Sequence, residues 1–166
     1  MTVMGQVKQA LAARLRGEGL AAMLAYEEER LRRYQTPVIV VGVRESAIER
    51  SGLLDYLGER QKETGESVEV YGRELRLSLS ADVYTPRELG AAAGETAAEN
   101  AAQALLSGLP EGLRAERIRF GQSAWDRASG MFLLSGSVET SALFEAEAQP
   151  ESAVLREFIL RGVLSE

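Results

Sequence analysis

The chain has 166 residues, 45% of them apolar and 27% charged, and it contains neither cysteine nor histidine. Those two absences exclude disulfides, thiolate nucleophiles, ordinary zinc sites and the imidazole base of serine and cysteine hydrolases. The net charge of −6, with lysine only at Lys8 and Lys62 and no cationic run longer than Arg32-Arg33, argues against gripping nucleic acid, which takes clustered cations to displace phosphate counterions.

Length and composition suit one domain over 1–166. The longest uncharged apolar run, PVIVVGV at 37–43, is far too short to cross a bilayer, and MTVMGQVKQ has no basic-then-apolar leader. Val3, Met4, Val7, Leu11 and Leu15 recur at spacings of three and four, which predicts an amphipathic helix over 3–16 that stops at Gly17 and Gly19. Residues 20–35 read two ways, as a second helix or as a strand through Met23–Glu29 leading into Pro37. Val38–Val43 is β-branched and bounded by Pro37 and Arg44-Glu45, the pattern of a buried strand.

The clearest strand is 73–84. Leu75, Leu77, Leu79, Ala81 and Val83 alternate with polar neighbours, so one face is dry. Val68 and Val70 lie on the opposite parity, which predicts a bulge or bend near Tyr71-Gly72. KETGES (62–67) is a turn, and 54–61 is the expected partner strand of a long hairpin. In TPRE, Thr85 suits an N-cap, Pro86 the first helical position and Glu88 a capping box. The predicted helix runs over about 86–107, presents Ala92, Ala93, Ala97, Ala101, Ala104 and Leu105 as a small-residue face, and ends at Gly108. Residues 113–122, 131–144 and 156–163 are expected strands, although the last also fits a helix by spacing. The sum is an α+β fold, a mostly antiparallel sheet with long hairpins packed by an N-terminal helix and a central Ala-rich helix.

The chemical motifs are weak. GEGLAA (17–22) matches a dinucleotide fingerprint, but a helix precedes it where a strand is required. GQSAW (121–125) carries Trp125 where a nucleophile elbow needs glycine, and there is no histidine to serve as its base. The acids of EEE (27–29) and the pair Glu145/Glu147 have oxygen ligands for a hard cation, yet Arg30, Arg32 and Arg33 stand ready to pair with the first group. No catalytic, cofactor or metal residue is therefore assigned. WDRASG (125–130) reads as a hairpin connection, with Asp126 and Ser129 bonding nearby amides and Gly130 free to take positive φ. Trp125 and Arg127 are more than such a turn needs. Either they are interface residues, for which their types are enriched, or Trp125 caps the core and Arg127 is solvated.

The order of motifs resembles that of tail terminator (tail completion, or collar) proteins of Firmicutes-type phages and phage-tail-like bacteriocins. It runs through the N-terminal helix, PVIVVGV, DYLGER (55–60), YGREL and SADVYTPRE (71–88), FGQSAWDRASGMF (120–132) and EFILRGVL. The resemblance implies a non-enzymatic subunit, without a cofactor, that forms a homo-oligomeric ring, typically a hexamer. Its partners would be tail tube and sheath proteins and the head–tail connector. It would bind no specific nucleic acid and no membrane, assembling in the bacterial cytoplasm into a virion or tail-like particle. Candidate subunit contacts on this view are Trp125, Asp126, Arg127, Tyr56 and Leu57. A head–tail adaptor is the alternative role. A small carboxylate-based hydrolase or ligand-binding domain is the alternative of another class.

Overall fold

A computed structural model describes residues 2–50, 56–148 and 157–160 of the chain. The N-terminal helix α1 spans Val3–Gly17, with the Thr2 hydroxyl accepting from the Gly5 amide at 3.2 Å. It buries Val7, Leu11, Ala12 and Leu15, and the chain leaves it through Gly19 at φ 79°. The ambiguous segment contains both elements, each short: strand β1, Ala21–Met23, and one helical turn α2, Glu28–Leu31. Cations of α1 hold this segment down, Lys8 donating to the Leu24 carbonyl and Arg16 to that of Ala22.

β2 runs over Val38–Arg50, well past the predicted apolar stretch. β3, Tyr56–Gln61, and β4, Ser67–Thr85, form the expected hairpin, closed by Gly65 at φ 82°. Residues 54–55 of the predicted strand lie outside the described residues. The alternating run is as read: Leu75, Leu77, Leu79, Ala81 and Val83 are all buried. The predicted bulge is not in β4. Its ladder with β8, Gly136–Ala148, keeps one register from Glu69↔Ala148 to Ser80↔Ser137, and the irregularity falls on the facing strand between Tyr56 and Gly58. Val68 and Val70 are buried on the opposite face instead, so an unbroken strand changes its dry side along its length.

The central helix α3 begins later than predicted, spanning Ala91–Ser107. Arg87–Leu89 form a separate 3-10 turn, and Gly90 at φ 73° breaks the path between the two. Thr85 is no N-cap. It ends β4 paired with Phe132, and its buried side chain sits under Gly94, where a Cβ would come within 2.5 Å of the hydroxyl. The small-residue face is therefore Gly94, Ala97, Ala98, Ala101, Ala104 and Leu105. At the far end the Arg14 Nε donates to the Ala104 carbonyl at 3.0 Å, satisfying a C-terminal carbonyl of α3 with a cation.

β5 (Leu113–Phe120), β6 (Ala124–Asp126), β7 (Met131–Leu134) and β9 (Glu157–Leu160) complete the described strands. β7 and β8 share one register on β4, so together they form one long strand interrupted at Ser135. At that break the Gly136 amide donates to Asp82 Oδ1 at 3.1 Å. The sheet thus has five columns: β1, then β2 with β3, then β4, then β7 with β8, then β6, β5 and β9. Among the described residues only β1 against β2 is parallel. α1 and α3 cover one face over the main core. The opposite face carries a smaller cluster of Met23, Leu31, Val38, Val40, Tyr84 and Met131 near the α2 turn.

Candidate functional site

The WDRASG stretch is the turn of the β6–β7 hairpin. Asp126 accepts from the Ser129 amide at 3.1 Å and the Ala128 amide at 3.3 Å, and Gly130 at φ 68° donates to the Asp126 carbonyl. The Ser129 hydroxyl beside it and these amides hold the Asp126 carboxyl below the usual range, because they favour its charged form. The hairpin is thus fixed by its own polar residues, independently of Trp125.

Trp125 lies on the outermost strand and is 43% exposed. It stands opposite Phe132, ring against ring, and the Arg87 guanidinium from the 3-10 turn lies 5.6 Å from its ring centre. Such a cation over an indole face is attracted by the ring quadrupole. Trp125 belongs to neither buried cluster. Arg127 is exposed at the tip. Asp126 points to the other face, where Tyr26 and Tyr84 pack at 5.5 Å between centroids. Burial, aided by the Asp82 charge, pushes the Tyr84 hydroxyl up to about 12.

The second candidate pair, Tyr56 and Leu57, begins β3 and is similarly exposed, at 45% and 47%. Tyr56 packs edge-on against Tyr71, with centroids 5.7 Å apart. Leu57 lies over Gly72, where a Cβ would meet its Cδ1. The structure does not bring the two candidate sets together. Trp125, Asp126 and Arg127 occupy one lateral edge of the sheet, and Tyr56 and Leu57 the other. Arg87 was missed by sequence reasoning, since only the fold carries it to Trp125.

The open part of the sheet, on the face away from α1 and α3, forms a trough of 510 Å³ lined by Glu45, Glu49, Glu74, Glu116 and Glu139 with Arg76 among them. Arg76 pairs with Glu74 and Glu49 at 3.3 and 3.4 Å, Glu116 accepts from the Ser141 hydroxyl at 2.6 Å, and Glu139 meets Arg119 at 3.6 Å. Of the acids considered as cation ligands, Glu28 pairs with Arg32 at 2.5 Å, Glu27 with Arg30 at 3.9 Å, and the buried Glu145 with Arg60 at 2.9 Å. Among the described residues no group of three acids is arranged to hold a metal ion, and no helix is long and apolar enough to cross a membrane.

No protein-family model matches the chain, and no curated protein matches it. Among solved structures it has a likeness to a chain of the virion of a native gene transfer agent particle, covering 88% of this chain and 95% of that one at 16% identity. The TM-score is 0.32, too low to establish a shared fold.

Proposed function

We propose that this chain is a structural subunit of a phage or phage-like tail, assembling as a ring of identical copies on the end of the tail tube. The ring would end polymerisation of tube and sheath and offer a docking surface to the head–tail connector. Six copies is the number the resemblance implies.

The observation that best supports this reading is the placement of the motif FGQSAWDRASGMF. It ends in an edge hairpin that leaves Trp125 and Arg127 exposed, on the edge opposite Tyr56 and Leu57. A closed ring of head-to-tail contacts uses two different patches on each subunit. Two exposed aromatic-bearing hairpins on opposite edges are suited to that geometry. The hairpin holds its shape through the Asp126 turn, so the outward aromatic is not required to close it.

Light scattering and native mass spectrometry of the purified protein, alone and mixed with tail-tube protein, test the reading. A ring-sized species on the tube is the expected result. A monomer in both samples, with tube growth unchanged, would sink the proposal.

A further inference from the structure

The sheet has two open edges beside the same rows of β4. Among the described residues, β2 beyond Val40 pairs only with β4, and β5 pairs only with β8. Ile48 and Gly42 register with Leu75 and Ser80 on one side. Leu113 and Arg119 reach those same rows through Ala142 and Ser137 on the other. Each edge even carries its bulge beside Ser78, at Arg44 on β2 and at Glu116 on β5.

On one face the two edges carry a surplus of opposite charge, since Arg44 of β2 is tied to Asp82 and Glu116 of β5 accepts from the Ser141 hydroxyl. Register places Glu45 and Glu49 of β2 on the trough face, together with Arg114, Arg117 and Arg119 of β5. Glu45, Arg114 and Arg117 have no ion-pair partner among the described residues. On the helix-covered face, β2 exposes Val43 and Ile48 while β5 presents half-buried Ala115 and Ile118.

We infer that these edges are the two halves of one interface, with β5 of one copy pairing antiparallel to β2 of the next. Direction allows it. The strands β2, β4, β8 and β5 alternate up and down, so the first and last run oppositely, and simple rotation of a copy about a ring axis brings them together antiparallel with faces matched. Unpaired edge amides and carbonyls gain partners, arginines face glutamates across the junction, and apolar side chains meet on the other face. Pairing β2 with β2 or β5 with β5 would set like charges opposite each other, which is destabilising. The charges therefore select a head-to-tail contact over a two-fold one. This inference rests on the ring reading and names its contact. Trp125 extends the β5 edge, and Tyr56 and Leu57 extend the β2 edge.

Because the chain has no cysteine, single thiols report the contact directly. Ser46 and Ala115 share the Leu77 row and the helix-covered face, and neither carries the charges. Full-length Ser46→Cys and Ala115→Cys proteins, alone and with tail-tube protein, are treated with a short bismaleimide. Neither variant is expected to cross-link to itself, whereas their equimolar mixture yields a dimer. Adding Glu45→Arg to the first protein should cut that yield about tenfold, and Arg117→Glu in the second should restore it, which a folding defect would not allow. Self-linked dimers at the mixed yield would overturn the head-to-tail contact. So would absence of the mixed dimer in a sample that scatters light as an oligomer, although the ring itself would stand. No oligomer in either measurement overturns both.

Discussion

The indole of Trp125 meets the ring of Phe132 edge-on across the β6–β7 ladder, with centroids 5.2 Å apart and planes at 80°. That contact and the Arg87 guanidinium over the indole both lie at the sheet edge, and the residue stays 43% exposed. Trp125→Ala should therefore cost only about 1 kcal/mol, the scale of one aromatic pair, against about 3–5 kcal/mol for truncating a core aromatic. Denaturant unfolding checks the value, and a core-sized loss would show that the residue caps the fold.

Asp82 bridges the interrupted strand, accepting from the Gly136 amide at 3.1 Å and from Arg44 at 3.3 Å. Asp82→Ala leaves that part-buried amide without its acceptor and should lower stability by about 1–3 kcal/mol. Asp82→Asn keeps an acceptor and should lose less. Gly136→Ala should be worse than either, since a Cβ there would lie 2.3 Å from the Ala81 carbonyl oxygen. Unfolding curves that rank Asp82→Asn mildest, Asp82→Ala next and Gly136→Ala worst would support the assignment.

Gly94→Ala tests the packing of α3 on the sheet. A mid-helix glycine changed to alanine ordinarily gains about 1 kcal/mol. Here the new methyl meets the Thr85 hydroxyl, so the substitution should destabilise instead. In a Thr85→Ala background that oxygen is gone, and the same change should turn favourable. Melting temperatures of the four proteins give the coupling.

Tyr84 sets a pH limit. Burial pushes its hydroxyl up to about 12, against the ordinary tyrosine value of 10.0. The folded state thus holds the proton between those values while the unfolded chain loses it. The associated stability is complete below pH 10 and is lost as pH rises toward 12. Wild type should weaken relative to Tyr84→Phe over that window. Parallel pH dependence of the two proteins would contradict the assignment.

The period-two run at 75–83 was legible because one dry face imprints itself on sequence. The helix start was not legible. TPRE has every local mark of a capping box, yet Thr85 is claimed by the ladder with Phe132 and only Gly90 takes the break. Tertiary pairing overrode local chemistry there. Val68 and Val70 misled for a related reason: a parity change signals a bulge only where a single face is buried. The WDRASG turn was readable because its bonds span two to four residues. Arg87 over Trp125 was not, since their contact crosses from the β4–α3 connection to an edge strand. Glu45 with Glu49, and Arg117 with Arg119, share a parity along the chain, a pattern the sequence reading did not use. That the two runs flank the same rows of β4 is a property of the sheet alone.

The most direct test of a tail-capping role is the length of tail tubes polymerised with this protein present, measured by electron microscopy. Wild-type protein should cap the tubes and stop their growth, and folded Trp125→Ala protein should leave them long. Tubes of the same length with wild type, variant or no protein would contradict the account.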